Sequence, residues 1–258
     1  MKRGIIYIAT GKKYYEEACL SAASVRRWMP ELPITIFTDQ ESESFHFGSL
    51  VPVRGCGDGF KDKVTFMARS PYEDTLFLDT DTFLCGSVEE LFTLLERFDV
   101  ALAHDHLVRQ VHAMDGVPAC YPEFNSGVLL FRNGPGTRAF FEDWLRRFEE
   151  DKARNGKGAR HHDQPSLRQA LFFSNLRIAT LTPEYNCMFR YAGSVSGPVK
   201  ILHCARIGYG WYTQKNLEHV AQVINAVENA RVFICGRTYA FLRKRKTTLS
   251  RFNPFAAT

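Results

Sequence analysis

The sequence predicts an α/β protein with a central, mostly parallel mixed sheet flanked by helices. Three observations predict it. Residues 5–39 read as strand, helix and strand, the unit from which parallel sheets are built. Short apolar runs then alternate with amphipathic stretches of helical period along most of the chain. Finally, Thr10, Asp39, Asn125 and His203 fall at the edges of apolar runs, and open α/β sheets bind their ligands outside the strand ends.

Ile5–Ala9 is the first apolar strand, closed by Thr10-Gly11. Ala18, Cys19, Ala22, Val25 and Met29 give the next stretch, Tyr14–Trp28, an apolar face of helical spacing. Pro30 and Pro33 break the chain before a second strand, Ile34–Asp39. A brief strand near Leu50–Val53 and a glycine-rich loop follow; the loop has neither phosphate-binding glycine spacing. The helix Phe60–Arg69 leads into an apolar strand, Thr75–Leu84, that carries Asp79 and Asp81. Ser87-Val88-Glu89-Glu90 has the form of a capping box, opening a helix to about Phe98. Asp99–Ala103 and Phe124–Phe131 are strands, with an irregular stretch between them to Pro122. Pro135 opens an amphipathic helix through Phe140, Phe141, Trp144, Leu145 and Phe148. A solvated basic loop (Lys152–Arg160) precedes a helix that begins at His161-His162-Asp163-Gln164-Pro165 and runs to Phe173. Strands near Arg177–Thr180 and Val199–Leu202 and a helix over Asn216–Asn229 complete the body. The organisation expected is one domain, 1–236, with a basic tail, 237–258.

The 258 residues carry a formal net charge of +5. From Arg237 onward there are Arg237, Arg243, Lys244, Arg245, Lys246 and Arg251 and no acidic residue, so attraction to an anionic partner resides in the tail. Tyr239, Phe241, Leu242, Leu249 and Phe252 interleave with these charges, as in a segment that lies on a membrane surface; a disordered basic tail is the plainer reading. Nucleic acid is not an expected partner. No run is apolar for long enough to span a bilayer. Seven cysteines without a C-x-x-C pair point to reduced thiols and a cytoplasmic protein, peripheral to the membrane if the tail binds it.

The chemistry centres on Asp79 and Asp81. Burying a carboxylate without a partner costs several kcal/mol, so an apolar strand holds two of them only if something compensates. In an extended chain residues i and i+2 share a face, which brings Asp79 and Asp81 together and turns Thr80 away. Two converging hard oxygen ligands suit Mg²⁺ or Mn²⁺. Two solvated aspartates in a strand-end turn are the alternative.

Taken with their neighbours, these residues resemble a family. Leu78-Asp79-Thr80-Asp81 is similar to the D-x-D motif of nucleotide-sugar glycosyltransferases with the GT-A fold. Lys61-Asp62-Lys63 before it, Phe124-Asn125-Ser126-Gly127-Val128 and Asp163-Gln164 after it, and Ile201-Leu202-His203 stand in the order seen in the family 8, glycogenin- and galactosyltransferase-like branch. The resemblance covers roughly residues 4–212. It implies metal-dependent transfer of a sugar from a nucleoside diphosphate sugar, a UDP-sugar by preference, to a glycan or lipid-linked acceptor, with retention of configuration. It also implies roles: Asp79, Asp81 and His203 as ligands of Mn²⁺ or Mg²⁺; Ala9, Thr10 and Thr80 beside the nucleotide; Asp39 at the uracil or ribose. Lys63 would reach the donor phosphates or sugar, and Asn125, Asp163 and Gln164 the transferred sugar. The family usually follows its histidine with glycine and then Lys-Pro-Trp; here Arg206-Ile207-Gly208-Tyr209-Gly210-Trp211 stands instead, and Arg206 is the residue able to grip the diphosphate.

Plainer readings stand beside these roles. His203 would be a core histidine, Asp39 a turn or helix cap, Asn125 a turn former and Asp163 an N-cap. A non-catalytic GT-A-like binder, or a haloacid dehalogenase-type phosphatase using the D-x-D aspartates, are the competing functions. The phosphatase reading lacks its threonine, since Phe83 stands two residues after Asp81.

Overall fold

The computed structural model describes residues 3–41, 46–55, 58–105, 116–155, 162–203, 213–227, 230–234, 237–241 and 249–252. Its strands are β1 (Arg3–Ala9), β2 (Ile34–Thr38), β3 (Ser49–Pro52), β4 (Asp74–Leu78), β5 (Phe83–Leu84), β6 (Val100–His104), β7 (Phe124–Arg132), β8 (Ile178–Leu181), β9 (Gly193–Val195), β10 (Ile201–Leu202), β11 (Arg231–Ile234), β12 (Arg237–Phe241) and β13 (Leu249–Phe252). Its α-helices are α1 (Lys12–Trp28), α2 (Gly59–Met67), α3 (Pro135–Asn155), α4 (Gln164–Phe173) and α5 (Gln214–Asn225).

Seven strands form the main sheet in the order β3-β2-β1-β4-β7-β6-β8. All pairs are parallel except those of β7, which runs antiparallel to β4 and β6. The expected mixed, mostly parallel sheet is therefore present. Its strands read as continuous apolar runs because both faces are covered. Ile5, Tyr7, Ala9, Leu76, Leu78, Val128 and Leu130 face α1 and the 3-10 helix Glu89–Glu96. Ile6, Phe77, Leu129 and Phe131 face α2, α3 and α4, where Phe140, Phe141 and Trp144 are core as their helical spacing implies.

A second assembly packs beside this sheet. β5 pairs antiparallel with β10, and β13-β12-β11-β9 form a four-stranded antiparallel sheet. Phe83, Phe189, Leu202, Leu217, Val220, Ile224 and Phe233 make its apolar cluster, into which α5 turns its buried side.

Four sequence expectations are corrected. The run Thr75–Leu84 is not one strand: β4 stops at Leu78 and the chain turns over Asp79–Thr82, where the Thr82 N–H and hydroxyl donate to the Asp79 carbonyl at 3.2 and 2.8 Å, before β5. The capping box does not open an α-helix. Ser87 Oγ accepts from Glu89 N at 3.4 Å, one residue short of the box, and Glu89–Glu96 winds as a 3-10 helix. α3 continues to Asn155 and absorbs the start of the expected basic loop. Within the expected tail, Arg237–Phe241 and Leu249–Phe252 are strands, β12 and β13.

Candidate active site

The parallel strands β1, β2, β4 and β6 end on one edge of the main sheet, and β7, running the other way, begins there. Thr10, Asp39, Asp79, Asp105 and Asn125 follow from that topology alone. β4 and β7 stay paired to the edge, with Leu78 opposite Val128 and the Asp79 N–H donating to the Gly127 carbonyl at 2.8 Å. His203 arrives from the second assembly. Leu202 pairs with Phe83, two residues after Asp81, so a two-residue ladder brings His203 onto the turn.

In this arrangement His203 Nε2 lies 3.3 Å from Asp81 Oδ1 and 3.6 Å from Asp79 Oδ2. One ligand atom from each residue lies within 4.8 Å of the others. The two aspartates converge through the turn rather than through the i, i+2 alternation of a strand. His203 is 5% exposed in its side chain, whereas Asp79 and Asp81 keep 28% and 17% open, which leaves the centre reachable from outside.

The residues present fit a divalent cation. Two carboxylates and an imidazole are a mixed oxygen and nitrogen set that Mn²⁺ accepts readily and Mg²⁺ less so. The floor is Gly127: a Cβ there would lie 2.2 Å from His203 Cε1, 2.6 Å from Nε2 and 2.8 Å from Asp79 Oδ2. A methyl group at position 127 would fill the space against the ligand atoms.

Among the described residues, Lys63 is the buried cation of the site. From α2 its Nζ lies 2.9 Å from Asp79 Oδ1 and 3.3 Å from Asp163 Oδ2, and donates to Ser126 Oγ at 2.8 Å. Ser126 in turn donates to Asp163 Oδ2 at 2.6 Å. Burial alone would lower the Lys63 pKa, but the Asp163 and Asp79 carboxylates outweigh it and raise it above the ordinary lysine value. Burial would likewise raise Asp79, yet Lys63 and His203 hold its carboxyl well below the usual range. Asp163 occupies the N-cap position of α4 without capping it, since its side chain is committed to Ser126 and Lys63. Its carbonyl holds the local frame, accepting from Trp144 Nε1 at 3.1 Å and Ser166 Oγ at 2.9 Å.

The remaining candidates divide into separate groups. Asn125 is buried beside Lys63's partner Ser126; its Oδ1 accepts from Gly127 N at 2.9 Å and from Asn186 Nδ2 at 2.9 Å. Gln164 donates to Asp105 at the end of β6. Thr10 donates to Asp62 Oδ2 at 2.8 Å, and Asp39 accepts from Gly11 N at 2.8 Å, with Gly11 held at a φ of 93°. The Gln40 side chain and the Gly11 N–H lower the Asp39 pKa. Ala9 is buried, facing α1. Thr80 turns away from the carboxylates and donates to Glu17 Oε2 of α1 at 3.0 Å. Arg206, with Tyr209, Trp211 and Tyr212, lies outside the described residues.

Four contributors to the site carry little or no signal in the sequence. Ser126 and Gly127 lie inside a stretch already singled out, and a serine-glycine pair on an otherwise apolar strand was the available signal. Glu17 appears as an acid at a buried helical position. Asn186 carries no local signal at all. A cleft of about 520 Å³ between the start of α3 and the end of α4 lies at the opposite end of the sheet and contains none of these residues.

A family model described as nucleotide-diphospho-sugar transferase matches residues 74–206, just over half of the chain. No curated protein matches it in sequence. Among solved structures the fold is similar to the glycosyltransferase GlyE of Streptococcus pneumoniae TIGR4, with a TM-score of 0.53 and 20% identity over 74% of this chain and 48% of that one. It is similar also to a galactosyltransferase, LgtC, in complex with donor and acceptor sugar analogues, at a TM-score of 0.50 and 14% identity over 71% of this chain and 74% of that one. An active-site mutant of LgtC gives a TM-score of 0.50 and 16% identity over 78% and 86%. The chain thus spans about half the length of GlyE.

Proposed function

The chain belongs to the nucleotide-diphospho-sugar transferase family, and from that membership we propose that it transfers a sugar from a UDP-sugar to a glycan or lipid-linked acceptor with Mn²⁺, or less favourably Mg²⁺, held by Asp79, Asp81 and His203. The observation that carries this reading is the convergence of those three ligands over Gly127 at the carboxyl edge of a GT-A sheet. When bound there, the cation supplies Lewis-acid stabilisation of the charge that grows on the departing diphosphate.

The chain's own residues divide the rest of the work. Thr10 and Asp39, with the backbone at Ala9, frame the nucleotide at the ends of β1 and β2, and exposed Tyr14, beside Gly11, offers an aromatic face to the base. Thr80 braces the turn against Glu17. Lys63 keeps Asp79 ionised and holds the Asp163 carboxylate in place, so the sugar-side carboxylate does not collapse onto the ligand side. Asn125, Asp163 and Gln164 meet the transferred sugar, and Arg206 is assigned to the diphosphate. Retention of configuration follows the family 8 resemblance and is read from the anomeric proton of the product by NMR.

Thermal unfolding with UDP, GDP and CMP, each with and without Mn²⁺, tests the donor. UDP with Mn²⁺ is expected to stabilise most, by about 2.7 kcal/mol at a hundredfold excess over Kd. No stabilisation by any nucleotide in either condition refutes the reading, and UDP-sugar hydrolysis unchanged in Asp81→Ala refutes the metal assignment.

A further inference from the structure

We propose that Asn186 is a positioning residue of this centre: it fixes which nitrogen of His203 carries hydrogen and ties that imidazole to Asn125. The proposal rests on reading Asp79, Asp81 and His203 as a metal site.

A backbone N–H has a polarity that cannot be reversed. Gly127 N donates to one side-chain amide atom of Asn125 at 2.9 Å, so that atom is the oxygen, Oδ1. Asn186 approaches the same oxygen at 2.9 Å and must do so with its NH₂. The other end of the Asn186 amide is then its oxygen, which faces His203 Nδ1 at 2.7 Å and accepts from it. His203 Nδ1 therefore carries a hydrogen whatever the charge of the ring, and Nε2, which faces Asp79 and Asp81, is left as the nitrogen available to a metal ion. The NH₂ of Asn125 completes the chain on the weak acceptor Met188 Sδ at 3.4 Å.

Asn125, Asn186 and His203 are 6%, 2% and 4% exposed. Reversing any amide in the chain would set two acceptors or two donors against each other away from water. The backbone delivers Asn186 to this place. Cys187 N donates to the Ile201 carbonyl at 2.9 Å, and His203 N to the Cys187 carbonyl at 2.9 Å, so the residues flanking Asn186 and His203 are laced together. A metal ligand and a residue assigned to the sugar thereby share one hydrogen-bonded support.

Two measurements on the whole chain test this. The first is a long-range ¹H–¹⁵N NMR correlation on metal-free protein, with His203 identified by comparison with His203→Ala. Hydrogen on Nδ1 is expected; a ring protonated only at Nε2 overturns the proposal. The second titrates Mn²⁺ by the EPR signal of the free ion. Asn186→Ala is expected to bind Mn²⁺ about 10- to 100-fold more weakly. Asn186→Asp keeps an acceptor for the Nδ1 hydrogen but sets a second acceptor against Asn125 Oδ1, so it is expected to lose less affinity than Asn186→Ala while not matching the unmodified chain. Asp81→Ala reports on the site itself. If it loses Mn²⁺ while Asn186→Ala binds normally, only the role of Asn186 falls; if it binds Mn²⁺ normally, the metal reading falls and this proposal with it. An Asn186→Asp variant as weak as the alanine variant also overturns it, since the loss would then be one of packing. Where Asn186→Ala does not fold, the aspartate variant and the NMR measurement decide.

Discussion

Position 127 bears on two of the three candidate ligands, Asp79 and His203, without contributing a side chain. Its carbonyl holds the Asp79 N–H and its own N–H orients Asn125, while its missing Cβ leaves the volume in which the ligand atoms of Asp79 and His203 face each other. Gly127→Ala is expected to displace the His203 ring, lower stability by about 1–3 kcal/mol and weaken Mn²⁺ binding at least tenfold. Urea unfolding and Mn²⁺ titration check the two effects, and unaltered Mn²⁺ affinity would mean that the cradle is not where the ion lies. Lys63 poses the opposite problem, a charge buried between two carboxylates. Taking one partner from such a cluster costs more than the cluster contributes, because the charges left behind are uncompensated. Lys63→Met is therefore expected to cost about 3–5 kcal/mol in metal-free protein. Added Mn²⁺ should recover part of the loss by neutralising Asp79, read as a larger metal-dependent shift in unfolding midpoint than the unmodified chain shows.

At the scale of elements, the turn Asp79–Thr82 is held by a line of buried hydroxyls. Tyr7 meets Ser21 at 2.9 Å, Ser21 meets Thr82 at 2.8 Å, and Thr82 donates to the Asp79 carbonyl. Burial pushes the Tyr7 hydroxyl pKa up, so it stays neutral and hydrogen-bonding throughout the working range of pH. A strand could not have carried both aspartates to one point without also burying them; the turn exposes their outer edges while β1 and α1 grip its base. On the other side of the centre, the short 3-10 helix Pro183–Tyr185 that precedes Asn186 is tied down by Glu184. Glu184 Oε1 accepts from Ser196 N and Gly197 N at 2.6 and 2.8 Å. Burial would raise the Glu184 pKa, but these backbone donors outweigh it and bring it below the usual 4.5. A depressed carboxyl pKa contributes stability that is fully present above the unfolded value and lost as pH falls through the folded one. Glu184→Gln should accordingly be less stable than the unmodified chain by about 1–2 kcal/mol at pH 7, with the gap closing below about pH 4.5. Chemical denaturation across pH 3–7 checks the sign, and a gap that is independent of pH would rule out the charge as its cause.

In the whole molecule the centre lies on a seam: the main sheet supplies Asp79, Asp81, Asn125 and, through α2 and α4, Lys63 and Asp163, while the second assembly supplies His203 and Asn186. That division explains what could be read from the chain alone. Strand ends on the main sheet were legible because apolar runs, their period and the polar residue closing each run are local signals, and parallel topology then gathers the ends. The turn after Leu78 was not, because Thr80 and Thr82 suit an extended strand as well as a turn and only contacts to Ser21 and Glu17 decide between them. Asn186 was invisible because its role depends on a bridge between Cys187 and Leu202 that no sequence period encodes. The seam also places a demand on the proposed metal site: the second assembly must be firm for His203 to meet Asp79 and Asp81. Leu202, fully buried in the second cluster and paired with Phe83, is the residue on which this turns. Leu202→Ala leaves every candidate ligand in place, yet the cavity should cost about 2–5 kcal/mol and loosen β10 against β5. If His203 is positioned by that ladder, the extra stabilisation given by Mn²⁺ with UDP must shrink in the variant, because part of the binding energy is spent on drawing β10 back. Thermal unfolding with and without both ligands measures the difference of differences. An undiminished ligand shift in Leu202→Ala would show that His203 is held independently of the second assembly.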